Sequence, residues 1–162
     1  MVSMGYSRRQ IALHWLAFVL VAWQFLTGDH MTKLFRAAHG GPPTHVASVW
    51  APIHIAVGLA ILAAMLWRLV LRRSEGAPPP PMQHPALEWL AITVHVGLYI
   101  DLIGAAVVGL VAWFWLPQLA GLHHVLVRQI LFVLFALHFA GALWHRFVVR
   151  DDVMTRMVRP AR

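Results

Sequence analysis

The chain has 162 residues, 60% of them hydrophobic and 12% charged, with a formal net charge of +7 and no cysteine. That balance is too apolar for an ordinary soluble domain and long enough for about four membrane crossings, so one membrane domain over residues 1–162 is expected. The missing thiols exclude disulfides, thiolate-held iron–sulfur clusters and covalently attached haem. The basic residues stand at the ends of apolar runs and form no single patch, which argues against nucleic acid as a partner.

The first apolar run follows Tyr6-Ser7-Arg8-Arg9-Gln10 and covers about 10–28. It has no small-residue cleavage site before Thr27-Gly28-Asp29, so it is expected to stay as a span. A polar loop rich in Gly, Pro and His is expected over 29–47, with His30, His39 and His45 beside Lys33 and Arg36. Such a loop could draw in an anion or bind a metal ion, although loop histidines more commonly do neither. The second span is expected at about 48–71, followed by a proline-rich turn at Pro78 to Pro81. The third is expected at about 87–113, then a short link around Pro117 to Gly121, and the fourth at about 122–149. The fold class is therefore all-α, a four-transmembrane-helix bundle.

Arg8, Arg9, Arg68, Arg72, Arg73, Arg146, Arg150, Arg156, Arg159 and Arg162 gather on one side, whereas the other holds Lys33 and Arg36, with Arg128 inside the fourth span. The positive-inside rule puts both termini and the 72–86 loop in the cytoplasm. Trp50, Trp89, Trp113, Trp115 and Trp144 fall near span ends, where indoles anchor at the interface. Asp151-Asp152 with Arg156 and Arg159 form a tail suited to anionic head groups.

Histidines inside lipid-crossing helices are costly and mark function, and imidazole is a common axial ligand of haem iron. His124 and His138 lie fourteen residues apart, which returns them to within about 40° on a regular helix and separates them by roughly 21 Å. By depth, His54 can meet His124 in the outer half and His14 can meet His138 in the inner half. His145, within about 20° of His138 on the same face, and His95 on the third helix are alternatives for the inner position, or hydrogen-bond partners for a quinone. Arg128 sits one turn beyond His124, placed for a haem propionate or for snorkelling. Asp101 is the one acid deep in a span; it could serve a proton route with His95 and His145, or form a buried pair with Arg128. Gly58, Gly104 and Gly109 could let a helix or a flat macrocycle approach closely.

Three stretches then carry a resemblance. Tyr6-Ser7-Arg8 with Ile11-Ala12-Leu13-His14-Trp15-Leu16, Ile53-His54-Ile55-Ala56-Val57-Gly58 leading to Arg68-Leu69, and Leu137-His138 through Leu143-Trp144-His145 resemble the prokaryotic cytochrome b561 family. The resemblance spans nearly the whole chain. It implies two haem b groups bound by His14, His54, His124 and His138 as axial iron ligands, and electron exchange with ubiquinone or another quinone. One branch of the family is similar to superoxide:ubiquinone oxidoreductases, and related subunits anchor dehydrogenases and hydrogenases. The link between the third and fourth spans is short here, where superoxide-oxidising relatives carry a longer external segment. A histidine-lined metal transporter is the reading from another class, although it would normally want more acidic ligands. Lipid and quinone are the expected partners, with a homodimer left open.

Overall fold

A computed structural model describes residues 5–79, 81 and 84–160. Pro80 of the proline-rich turn and Arg162 of the basic set lie outside the described residues. Four helices long and apolar enough to cross a membrane make up the molecule: α1 Arg8–Ala38, α2 Trp50–Ser74, α3 Pro85–Phe114 and α4 Pro117–Val149. A short α5, Val153–Arg156, follows. The described residues contain no strand.

The helix ends follow from local chemistry. Ser7 and Gln10 form a reciprocal capping box at the start of α1, with Gln10 N–H donating to Ser7 Oγ at 3.2 Å and Ser7 N–H to Gln10 Oε1 at 3.0 Å. The expected break at Gly28-Asp29 does not occur, and α1 runs on for ten residues to Ala38. A lone glycine costs a helix little when no proline follows it, and Thr32 Oγ1 donates back to the Gly28 carbonyl at 3.1 Å. Gly40, at φ +85°, and Gly41-Pro42-Pro43 are the breakers, so the outer loop shrinks to 39–49. His84 caps α3 by accepting from Ala86 N–H at 3.3 Å, with Pro85 in the first helical position. The fourth helix begins earlier than about 122, since Pro117–Leu119 already form a 3₁₀ turn that leads straight into Ala120. Two π-helical segments interrupt α4, Leu126–Ile130 and His145–Val149, and it stops at Arg150 in the left-handed region, φ 59°.

Neighbours in sequence are neighbours in space: α1 packs on α2, α2 on α3 and α3 on α4. The centre is a small cluster of Ala17, Ile61 and Met65, covered by Leu20, Val21, Val57, Tyr99, Leu102 and Ile103. Large apolar side chains such as Val19, Leu26, Val70, Ile100, Phe132 and Phe147 point outward. This is what a lipid-facing surface requires, because every backbone bond is already made within the helices.

The end of the bundle that carries both termini, the inner end of the expected topology, is tied together by polar contacts. Arg9 pairs with Glu75 at 2.6 Å, and Gln10 Nε2 donates to the Gly76 carbonyl at 2.9 Å, which fastens α1 to the end of α2. Trp15 Nε1 donates to the Met157 carbonyl at 2.9 Å, and Arg156 reaches the Pro79 carbonyl at 3.1 Å while pairing with Asp152 at 2.8 Å. The tail is thus strapped across the cluster of helix ends.

Candidate functional site

In the inner half the helices bring three imidazoles together. His14 on α1 and His138 on α4 face each other with ring centroids 6.1 Å apart and planes at 63°. His95 on α3 lies 5.1 Å from His138 at 80°, and its Nδ1 is 2.7 Å from the Ala91 carbonyl. That bond sets the tautomer, with the proton on Nδ1 and the Nε2 lone pair free. Trp15 abuts His14 edge-on at 5.4 Å. His145, the other inner candidate, is turned elsewhere: its Nδ1 lies 2.6 Å from Asp151 Oδ2, both groups largely buried, and Asp151 Oδ1 accepts from Val153 N–H at 3.1 Å.

The outer half is arranged differently. The His54 carbonyl accepts from Gln24 Nε2 at 2.9 Å, but its ring Nδ1 is buried without a hydrogen-bond partner. Sequence reasoning passed over His123, whose imidazole is close enough to His54 for an electrostatic interaction. Its Nδ1 is 3.0 Å from the Ala105 carbonyl, and the ring lies against Gly109, where a Cβ would come within 2.9 Å of it. The visible signal was Gly109 itself, a gap on α3 large enough for a ring from the next helix. His124, one residue on, is exposed and makes no hydrogen bond or ring contact among the described residues.

Of the remaining expected residues, Arg128 forms an ion pair with Asp29 at the outer part of α1, and the pair with Asp101 is not made. The reason is reach: Asp29 exists on a helix there because α1 continues past Gly28. Asp101 is 4% exposed, and both carboxyl oxygens lack a partner. An unpaired carboxyl at that depth is costly, which marks Asp101 as a functional candidate. A Cβ on Gly104 would meet nothing within 4 Å, and one on Gly58 only Gln24 Nε2 at 3.6 Å. In the tail, the hydrogen bond from Arg156 holds the Asp152 carboxyl below the usual carboxylate range, and the same bond raises the Arg156 guanidinium.

The donor set suits haem. Facing imidazoles reach inward from different helices, a buried ring nitrogen on His54 lacks a partner, and no thiol competes for iron. Four crossings with imidazoles inside at two depths define the frame of a membrane cytochrome. Residues 5–160 match the family model for prokaryotic cytochrome b561, and the chain belongs to that family. It is 31% identical over 156 residues to cytochrome b562 of Cereibacter sphaeroides, covering 96% of each chain. It is 25% identical to the probable superoxide oxidase CybB of Yersinia pestis, covering 94% of this chain and 95% of the relative. Against cytochrome b561 homolog 2 of Escherichia coli K12 the identity is 26%, over 91% of this chain and 87% of the relative. No solved structure gave a significant match. Membership makes the protein a membrane haem protein of electron transfer, with haem of the b type.

Proposed function

We propose that this chain is a dihaem cytochrome of a bacterial inner membrane, with both termini in the cytoplasm, passing single electrons between an outer donor and the quinone pool. The observation that carries the reading is the pair of rings from α1 and α4, His14 and His138, facing each other at 6.1 Å. A haem held between two such imidazoles would supply reversible one-electron chemistry with little affinity for oxygen.

The chain's own residues do the rest. His14 and His138 hold the inner level, and His54 with His124 the outer. His123 spends its Nδ1 and one ring face on α3, which leaves His124 as the imidazole of that pair without a hydrogen bond. A second reading gives the ligand role to His123, whose ring lies near His54. Arg128 uses part of its five-donor guanidinium on Asp29 and keeps the remainder for a haem propionate. A quinone takes up protons when reduced, and Asp101, His95 and His145 form the candidate relay, with Asp151 fixing the orientation of His145. The donor is taken to be superoxide by analogy with the name of the Yersinia relative. Arg72, Arg73 and Arg146 at the inner helix ends support cytoplasmic termini.

A haem-bearing anchor subunit of a dehydrogenase or hydrogenase would share this frame, and a partner retained through purification would reveal it. A metal transporter is disfavoured, because it would normally want acidic ligands and Asp101 is the one buried acid among the described residues. The test is haem content and the reduced-minus-oxidised spectrum of the purified protein and its variants. Two low-spin b haems per chain are expected, falling by about half in His14→Ala and in His138→Ala and unchanged in His145→Ala. A loss confined to His145→Ala would overturn the inner assignment, and a colourless wild type would overturn the whole reading.

A further inference from the structure

Arg68 stands six residues before Ser74, the end of α2, and His14 six residues after Arg8, the start of α1, so both lie about 9 Å from the same end of the bundle. Arg68 is half-buried, and its Nη1 donates to the Gln10 carbonyl at 3.2 Å, one turn before His14. From there its charge acts on all three inner imidazoles, His14, His95 and His138. A guanidinium does not shed its proton in a protein, so that charge is permanent.

Nothing in the chain neutralises it. Of the six acidic residues, Asp29, Glu75, Asp151 and Asp152 are each paired with another group, Glu88 is exposed at the start of α3, and neither oxygen of Asp101 has a partner. Among the described residues Arg68 therefore has no carboxylate partner, and a charge within a span is costly unless it serves a function. The outer level lacks such a cation. Arg128 spends its charge on Asp29, and the electrostatic neighbour of His54 is the imidazole of His123.

We propose that Arg68 is a positioning residue for the electron: its uncompensated charge favours the reduced state of the inner level, which becomes the easier of the two to reduce. One electron leaves the outer level and one enters the inner, with no bond made or broken. The fixed cation stabilises the extra negative charge where it arrives. The inference rests on the cytochrome reading above and adds to it which level holds the electron.

The haem-loaded protein in nanodiscs is titrated between dithionite and ferricyanide, with the spectrum and haem content read on each sample. The component that His138→Ala removes is the inner one, and in the wild type it is expected to have the higher midpoint. Arg68→Gln is expected to lower that midpoint by about 59 mV, about a tenfold change in the equilibrium for one electron, with the outer component held within about twofold. Arg68→Lys keeps the charge without the planar fork and is expected to stay within about threefold of the wild type. Arg73→Gln, exposed on the same helix, is expected to stay within about twofold. No shift in Arg68→Gln, an equal shift at both levels, or a lysine variant as low as the glutamine one overturns the inference. If Arg68→Gln loses haem, the wild-type order decides, and an inner component below the outer one overturns it. All these results leave the wild type pigmented and the cytochrome reading intact, whereas a colourless wild type refutes that reading and the inference with it.

Discussion

The inner and outer histidine levels solve the same problem in opposite ways. In the inner half, His138 faces both His14 and His95, and the tail strapped to Trp15 and Pro79 closes over the helix ends. In the outer half the imidazoles are dispersed: His54 keeps an unpartnered nitrogen, His123 is bound to the α3 backbone, and His124 stands apart. Backbone carbonyls orient one ring at each level, His95 and His123, but the inner rings also face one another, whereas the outer ring of His123 lies against a missing Cβ at Gly109. A site of the first kind tolerates changes in its surroundings; one of the second kind depends on glycine.

The largest effect expected from this contrast separates the two adjacent outer histidines. Under the proposed two-haem arrangement, His124→Ala should remove the outer haem, about half the pigment, and His123→Ala should keep it with a shifted spectrum. The reverse result, read by haem analysis, would transfer the ligand role to His123. Next in size is Gly109→Ala, whose new methyl would crowd the His123 ring at 2.9 Å. Overpacking of this kind costs about 1–3 kcal/mol, visible as a lower melting temperature with the inner spectral component retained. No change in melting would show that the ring moves aside freely. The smallest effect concerns the tail. Because Asp152 is held below the ordinary carboxylate value of about 3.9, its bond to Arg156 contributes above that value and is lost as pH falls through the depressed one. The protection of amides in the segment 153–157, taken relative to their intrinsic exchange at each pH, should therefore stay constant from about pH 8 to pH 5 and fall only in stronger acid. Loss of protection already near pH 5 would mean that the pair does not hold the strap.

Apolar run lengths foretold a four-helix membrane fold, because the hydrocarbon thickness dictates how many residues a crossing needs. His14 and His138 could be paired from depth alone, since an extra residue in a turn changes the angle around a helix much more than the rise along it. The outer level resisted the same treatment. A straight-helix count carries His124 round to the His138 face, but the π-helical turn at Leu126–Ile130 lies between them and changes the angle per residue. Nothing in Leu126-Val127-Arg128-Gln129-Ile130 announces that turn. Asp29 was equally hidden as a partner for Arg128, because Gly28-Asp29 reads as a helix stop until the backbone is seen to continue.

The continuation of α1 has a consequence for encounters outside the bilayer. At 31 residues the helix is about 46 Å long, half again the hydrocarbon thickness. Its outer turns form a rigid mast, and Lys33 and Arg36 ride on it at fixed angles instead of on floppy chain. Arrival of an anionic visitor is then governed by a stationary field and by ionic strength, with no folding event to wait for.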